Sequence, residues 1–264
     1  MRRWMAISIM ALVVTSTALA QDSRLRRLST GDDVKSWEAV GRLNIGGTGF
    51  CTGTLIAPNM VLTAAHCLFD KKTGVRIDHT QIEFLAGWRD GRASAYRSIR
   101  QAVIHPTYVY SSRVNTGGVG NDLALLKLDH PIRDGKIQPF ATEAKPRRGA
   151  KVAVVSYGAG RSEAPALQEL CSVLALQQGM LVTSCSVDFG SSGAPIFMVQ
   201  DGTVQIVSVV SAKAEVDGAA VSLGTSLGAP LAQLQAEMVT RQTGLRNSVR
   251  AGTRGTSGAK FVRP

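Results

Sequence analysis

The sequence predicts an all-β fold, a sandwich or a barrel, that ends in one helix. Three observations support this prediction: apolar residues come in short runs, Gly, Pro and Asn clusters separate the runs, and helical periodicity is clear only near the C-terminus. Short strands at such spacing are typical of antiparallel β proteins. The clearest runs are 52–56, 60–63, 81–85, 122–128, 151–156, 180–183 and 204–211.

The helical pattern spans residues 230–240. Leu231, Leu234 and Met238, together with Val239, fall at spacings that place them on one face of a helix. We therefore expect this segment to pack against the β domain as its last element.

The first 20 residues have the pattern of a secretory signal peptide. Arg2 and Arg3 precede an uncharged run at 4–19, and Ala-Leu-Ala at 18–20 offers a small-residue cleavage site before Gln21. A transmembrane anchor is the alternative, but the run is short for a bilayer span. We expect a secreted or periplasmic chain without a transmembrane anchor.

Removing this leader leaves 244 of the 264 residues, enough for one large domain with a well-buried core. We expect that domain at residues 37–240. An N-terminal extension or short propeptide is expected at 21–36, where Arg24, Arg26 and Arg27 offer basic cleavage sites.

The final segment, 241–264, is basic, contains no acidic residue and is rich in Gly, Ser and Thr. This composition predicts a disordered, solvated tail. The tail contacts an anionic surface, such as lipid headgroups or nucleic acid, or has no specific partner. Few aromatic residues and no recognition motif are present, so specific nucleic-acid binding is not expected. Six positive charges of the chain's net +11 lie here: Arg241, Arg246, Arg250, Arg254, Lys260 and Arg263.

The even number of cysteines fits an oxidising compartment and favours disulfides over free thiols. Four cysteines allow three pairings, among which the sequence alone does not choose. No Cys-x-x-Cys pair is present, which argues against a structural zinc site, and we expect no metal or other cofactor. The four are Cys51, Cys67, Cys171 and Cys185.

Three segments carry side chains suited to acyl transfer, in the order His66, Asp122, Ser192. A serine hydroxyl is a weak nucleophile at neutral pH, so an imidazole must accept its proton while a carboxylate fixes the imidazole tautomer. Each residue alone has an ordinary structural explanation, but their joint occurrence favours a catalytic one. The segments are Thr-Ala-Ala-His-Cys at 63–67, Asn-Asp-Leu-Ala-Leu-Leu at 121–126 and Gly-Ser-Ser-Gly-Ala-Pro at 190–195.

These segments, with Ile-His-Pro-Thr-Tyr at 104–108, resemble those of the chymotrypsin/trypsin-like serine proteases. The resemblance covers most of the chain after the leader and is nearest to the bacterial secreted branch. It implies two six-stranded antiparallel β-barrels with a catalytic triad at their interface, followed by a C-terminal helix. It also implies a serine endopeptidase that acts on polypeptides.

Position by position, the resemblance makes His66 the general base, Asp122 its orienting partner and Ser192 the nucleophile. The backbone N–H groups of Gly190 and Ser192 would form the oxyanion hole, where each donor typically contributes a few kcal/mol of transition-state stabilisation. Ser191 is a competing nucleophile, but it stands one residue early in the motif. The other histidines, His79, His105 and His130, are expected to be structural.

The resemblance also implies a disulfide between Cys51 and Cys67 beside the catalytic histidine. Cys171 and Cys185 would then pair ahead of the nucleophile loop, an arrangement nearer to bacterial members than to digestive ones. Closing a loop of roughly 15 residues contributes about 3 kcal/mol in the chain-entropy model.

One residue departs from the pattern of the proteases that are activated by a cut. In that branch an Asp precedes the nucleophile and pairs with a freshly cut N-terminal amine, whereas this chain has Ser191. The Ile-Gly-Gly at 45–47 lies too close to His66 to be an activation site and is expected to form a turn. We therefore expect that the amine switch is absent and that the oxyanion loop is held in another way.

The residues expected to form the substrate pocket point to a small or acidic side chain before the scissile bond. The pocket floor falls near Ser186, which is not an acid, although Asp188 leaves a preference for Arg or Lys open. Ser211 would begin the segment that pairs with substrate, and Ala212 and Lys213 replace the family's usual Trp and Gly. Lys213 either attracts an acidic side chain, as bacterial glutamyl endopeptidases prefer, or is solvated at the rim.

Two other functions share part of this pattern. A catalytically silent relative would use the barrel surface or the basic tail as a binding protein, which the intact set of catalytic residues disfavours. An esterase of the α/β-hydrolase type would have the order Ser, Asp, His and a glycine at position 194, where this chain has Ala194.

Overall fold

A computed structural model of the chain describes residues 25–47, 49–112, 116–142, 145–216 and 218–252, with side chains to residue 241. The expected leader lies outside the described residues, as does the tail from 253 onward. The strands are β1 (Leu25–Arg27), β2 (Val40–Ile45), β3 (Gly49–Ala57), β4 (Met60–Thr63), β5 (Ile82–Ala86), β6 (Ala95–Ile104), β7 (Ala124–Leu128), β8 (Lys151–Gly158), β9 (Arg161–Gln177), β10 (Met180–Thr183), β11 (Pro195–Gln200), β12 (Thr203–Val216) and β13 (Ala219–Ser226). The α-helices are α1 (Gly31–Val34), α2 (Thr116–Val119) and α3 (Gly228–Gly252), and short 3-10 helices span Ala65–Leu68 and His79–Gln81.

Strands β2 to β7 form a closed six-stranded antiparallel barrel in the order β2-β3-β4-β7-β6-β5, which the β2–β5 pairing closes. Its interior is filled by large side chains that are almost fully buried, among them Leu43, Leu55, Phe84 and Leu125. Gly46 and Gly47 form the turn after β2 with positive φ angles of 53° and 68°, as expected for the Ile-Gly-Gly segment. Pairing closes every strand edge of this barrel.

Strands β8 to β13 repeat the same order, since β9-β10-β13-β12-β11-β8 are neighbours and β8 also pairs with β9. Six strands therefore form a closed ring, and β1 is added on the outer edge of β9. The expected all-β fold with two antiparallel six-stranded barrels and a C-terminal helix is confirmed.

An aromatic cluster joins the two barrels. Phe197 of β11 packs against Trp37, which precedes β2, and against Phe140 in the connection between the barrels, with ring centroids 5.0 and 4.6 Å apart. Such pairs contribute about 0.5–1.5 kcal/mol beyond the area that they bury. The cluster fixes the barrels relative to each other, which a site built from both of them requires.

The N-terminal segment is part of the folded domain. β1 pairs in register with β9, the N–H of Leu28 donates to the Pro165 carbonyl at 2.9 Å, and the Leu28 side chain is fully buried. Thr30 then caps α1 by accepting from the N–H of Asp33. An apolar side chain and a strand ladder therefore bind this segment, which lies in the expected N-terminal extension at 21–36, to the second barrel.

The C-terminal helix is longer than expected. Leu231, Leu234 and Met238 are buried as predicted, whereas Val239 is 62% exposed. The helix continues to Gly252, so the boundary expected at residue 240 falls inside it. Residues 241–252 contain no proline that would stop a helix. Within the described residues, no helix has both the length and the apolar character needed to cross a membrane.

Candidate active site

His66 and Asp122 are brought together by the pairing of β4 with β7. Thr63 lies opposite Ala124 in that ladder, His66 follows β4 in a 3-10 helix, and Asp122 comes two residues before β7. The Asp122 carboxylate accepts the backbone N–H of His66 at 2.9 Å, and its other oxygen lies 2.6 Å from Nδ1 of the imidazole. Because a carboxylate can only accept, Nδ1 carries the proton and Nε2 is left as a base.

A third donor to Asp122 comes from the second barrel. The hydroxyl of Ser211 donates to the carboxylate oxygen that faces the imidazole, and the Asp122 side chain is only 5% exposed. Thr225 of β13 donates to the backbone carbonyl of Val119 at 2.6 Å. A buried carboxylate requires hydrogen-bond donors, and His66 from the first barrel and Ser211 from the second supply them. Ser211, expected in the segment that pairs with substrate, therefore also orients Asp122.

Ser192 lies in the loop between β10 and β11, and its carbonyl accepts the N–H of Thr52 in β3 at 2.8 Å. Ser192 and His66 line the same cavity, which has a volume of about 420 Å³. Both side chains are described, and no hydrogen bond joins Ser192 Oγ to His66 Nε2. Such bonds are often long before substrate binds.

The peptide between Phe189 and Gly190 has a fixed orientation. The Phe189 carbonyl accepts the N–H of Ala159 at 2.7 Å. In a trans peptide the next N–H points the opposite way, so the N–H of Gly190 is directed away from that contact. Gly190 has a φ of 95°, and a Cβ there would lie 2.3 Å from the Phe50 ring, so only glycine fits.

The same geometry orients the N–H of Ser192. The Ser191 carbonyl accepts the N–H of Ala194 at 3.0 Å, which turns the following N–H to the other side. Among the described residues, neither the N–H of Gly190 nor that of Ser192 has a hydrogen-bond partner. The loop thus presents two unpaired backbone donors beside the Ser192 side chain.

Thr52 holds this loop from the first barrel. Its fully buried hydroxyl donates to the Gly190 carbonyl at 2.9 Å and accepts the N–H of Tyr157 at 3.1 Å. The sequence predicted Thr52 only as the start of a strand. No local pattern marks this role, because the contact joins residues 138 positions apart.

Ser191 is buried in a polar network and does not line the cavity. Its hydroxyl donates to the Tyr157 carbonyl at 3.1 Å and lies 3.1 Å from both Ser156 Oγ and Arg161 Nη2. Burial lowers the pKa of the Arg161 guanidinium, and the charge of Asp188 opposes that shift. The geometry favours Ser192 over Ser191 as the reactive hydroxyl.

The residues expected in the substrate pocket divide into two groups. Asp188, Ser211, Ala212 and Lys213 line the cavity. Ser186 is exposed, lies outside the cavity lining, and donates its N–H to the Gln168 side chain at 2.9 Å.

Lys213 already has two neighbours in this cavity. Its Nζ lies 3.7 Å from the Asp188 carboxylate and 4.9 Å from the centre of the Phe189 ring, which is 68% exposed. Lys71 approaches the same ring at 5.6 Å. Two cations and one carboxylate therefore surround an exposed aromatic ring at the cavity edge.

Tyr108, Val109 and Tyr110 also line the cavity. Burial, together with the nearby charge of Asp122, raises the pKa of Tyr108 above its usual value. Val109 is 78% exposed and presents an apolar contact to solvent. The sequence did not predict these three residues as part of the substrate cavity.

Two disulfides are present, Cys51–Cys67 and Cys171–Cys185. The first closes a loop with a sequence separation of 16 residues, and its Cys67 directly follows His66. Within the described part of the chain, Cys51, His66 and Cys67 are the one group of potential metal ligands close enough to share an ion. Since both sulfurs are in a disulfide bond, they are not available to bind one.

Comparison with protein families gives a match over most of the described chain. The family model described as Trypsin matches residues 30–224. Granzyme M from Rattus norvegicus is 33% identical over 128 residues, which are 46% of this chain and 46% of that protein. Serine protease 23 from Bos taurus is 28% identical over 163 residues, covering 56% of this chain and 43% of that protein. An uncharacterized peptidase from Corynebacterium glutamicum (strain R) is 27% identical over 155 residues, covering 56% of this chain and 46% of that protein.

The chain thus spans about half the length of the relatives that it matches. Among solved structures, a Glu endopeptidase in complex with MPD superimposes with a TM-score of 0.64 and 19% identity. That similarity covers 81% of this chain and 95% of the other, and identity this low shows a shared fold alone.

Proposed function

We propose, from the premise that the chain belongs to the trypsin family of serine proteases, that it is a serine endopeptidase with Ser192 as its nucleophile. One observation supports this most strongly: His66, Asp122 and Ser192 line one cavity, and the N–H groups of Gly190 and Ser192 in the Ser192 loop have no hydrogen-bond partner among the described residues. Base, nucleophile and oxyanion donors are the groups that acyl transfer needs.

In the proposed reaction, Ser192 Oγ attacks the scissile carbonyl while His66 Nε2 takes the hydroxyl proton. The carboxylate of Asp122 keeps Nδ1 protonated and stabilises the imidazolium that forms. His66 then donates the proton to the leaving amine, and an acyl group remains on Ser192.

The N–H groups of Gly190 and Ser192 stabilise the negative oxygen of the tetrahedral intermediate. Losing one such donor typically lowers kcat by about 10²–10³-fold. Water deprotonated by His66 then attacks the acyl-enzyme and releases the second product.

Labelling with a fluorophosphonate tests this assignment, because the reagent reacts with an activated serine. We expect the wild-type chain and Ser191→Ala to be labelled and Ser192→Ala not to be. Ser191→Ala removes the neighbouring hydroxyl but keeps the proposed nucleophile, so labelling that persists in this variant, even at a lower rate, distinguishes the two serines. Absence of labelling in correctly folded wild type would favour the silent binding protein.

We further propose a small or acidic residue before the scissile bond. Lys213 lines the cavity, and the Asp188 carboxylate at 3.7 Å from its Nζ offsets its charge. Asp188→Asn should therefore raise the preference for acidic residues, and Lys213→Met should remove it. A peptide-library cleavage profile of the three proteins measures both effects; a preference for Arg or Lys in the wild type would contradict the proposal.

Export from the cytoplasm is the third part of the proposal. The leader pattern at residues 1–20 and two disulfides, which form in oxidising compartments, support it. N-terminal sequencing of the protein recovered outside the cytoplasm should begin at Gln21; retention of the full-length chain in the cytoplasm would contradict export.

A further inference from the structure

The buried face of the oxyanion loop contacts a cation from the same chain. The Arg161 guanidinium donates through Nη1 to the Ser156 carbonyl. Its Nη2 donates to the hydroxyls of Ser156 and Ser191, and both of these Nη2 distances are 3.1 Å. Ser191 is fully buried and stands directly before the proposed nucleophile. Arg161 therefore lies behind the loop, on the side away from substrate.

The hairpin that carries Arg161 contacts the loop at a second point. Gly158 pairs with Arg161 across a tight turn, and Ala159 in that turn donates its N–H to the Phe189 carbonyl at 2.7 Å. This is the bond that fixes the N–H of Gly190. One hairpin thus holds the loop through the peptide before Gly190 and through the Ser191 side chain.

Gly158 leaves room for the Arg161 guanidinium in this hairpin. A Cβ on Gly158 would lie 2.7 Å from Arg161 Cζ, so any larger residue at position 158 would displace the side chain. The glycine at this position and the arginine three residues later fit each other.

The cost of this arrangement indicates a positional role. Nε of Arg161 is buried and has no hydrogen-bond partner among the described residues. Burying a cation with an incompletely paired guanidinium destabilises a fold relative to apolar packing. Stability alone therefore does not explain an arginine here.

We propose that Arg161 is a positioning residue that holds the oxyanion loop in its competent conformation from within the chain. The loop then does not depend on a newly cut N-terminal amine, and Ser191 accepts from the guanidinium where activated relatives pair an Asp with that amine. The described N-terminal segment is consistent with this, because β1 pairs along β9 at residues 166–168. The inference rests on the proposed endopeptidase function and assigns how its site is kept active.

The test compares Arg161→Ala, Arg161→Lys and Ser191→Ala with wild type on a peptide ester, measuring kcat and KM separately. Arg89→Ala is the control, since Arg89 is also half-buried and donates to a backbone carbonyl, that of Ser29, but has no hydrogen bond to the oxyanion loop among the described residues. Circular dichroism and thermal melting establish that each variant is folded.

We expect Arg161→Ala to lose about 10²-fold in kcat, the lower end of the effect of one oxyanion donor, with a smaller change in KM. Added guanidinium should restore part of the kcat that Arg161→Ala loses. The kcat of Arg161→Lys should fall between those of wild type and Arg161→Ala. The double variant Arg161→Ala/Ser191→Ala should lose no more than the larger single loss, because both residues act on one loop. Arg89→Ala should keep the wild-type kcat.

Wild-type kcat in folded Arg161→Ala overturns the inference. If that variant does not fold, wild-type kcat in both Arg161→Lys and Ser191→Ala overturns it instead. A loss in Arg161→Ala that guanidinium does not restore, with an equal loss in Arg89→Ala, also overturns it. The proposed function fails in a different way, when the wild-type chain neither hydrolyses the ester nor reacts with a fluorophosphonate.

Discussion

Replacing Thr52 with valine removes one buried hydroxyl and keeps the size of the side chain. The change leaves the Gly190 carbonyl and the N–H of Tyr157 without the partners that they have at 2.9 and 3.1 Å. Each unsatisfied buried group costs about 1–3 kcal/mol, so unfolding should become easier by about 2–6 kcal/mol. For a domain of this size that lowers Tm by on the order of 10 °C.

Activity should fall as well, because the Gly190 carbonyl becomes free to turn and the oxyanion N–H turns with it. The loss in kcat is bounded by the about 10²–10³-fold effect of one oxyanion donor. Urea denaturation gives the free energy of unfolding, and hydrolysis of a peptide ester by the folded protein gives kcat.

Thr54→Val is the matched control for this prediction. Thr54 lies on the same strand and is buried, but its hydroxyl has no hydrogen-bond partner within the described residues. Removing an unpaired hydroxyl should leave stability equal or higher and kcat unchanged. The reasoning is refuted if the two valine variants behave alike.

Three further changes test other parts of the account. Asp122→Asn should lower kcat by about 10⁴-fold, because an amide favours the wrong imidazole tautomer, and steady-state kinetics measures this. Replacing Cys51 and Cys67 together with alanine should lower the free energy of unfolding by about 3 kcal/mol in urea denaturation. Burial lowers the pKa of His105, so the stability that this neutral histidine contributes is present above its usual pKa near 6.5 and lost as pH falls through the lower folded value. His105→Gln should therefore lose less stability than wild type between neutral and mildly acidic pH.

The strands that the sequence predicted are those that form short apolar runs. Each of the runs predicted as strands overlaps an observed one, and 60–63 and 180–183 coincide with β4 and β10. β9 was not predicted, because polar residues and Pro165 interrupt its apolar pattern while pairing on both sides keeps it extended. Local patterns do not contain such tertiary pairing.

The residues of the candidate site also differ in whether a local sequence pattern marks them. His66, Asp122 and Ser192 were predicted because each lies in a recognisable local motif. Thr52 and Arg161 were missed, because their contacts with the oxyanion loop exist only after strands distant in sequence are brought together. The C-terminal helix extends beyond the predicted segment, because the basic composition of residues 241–252, which lack acids, is also typical of a disordered tail.

The central claim is that Ser192 forms an acyl-enzyme. An activated ester mixed with the protein, quenched in acid within milliseconds, digested and analysed by mass spectrometry locates the acyl group directly. The account predicts one acyl group on the peptide that contains residues 190–195, attached to Ser192 and absent in Ser192→Ala and strongly reduced in His66→Ala. An acyl group on another residue, or none while the ester is hydrolysed, would contradict it.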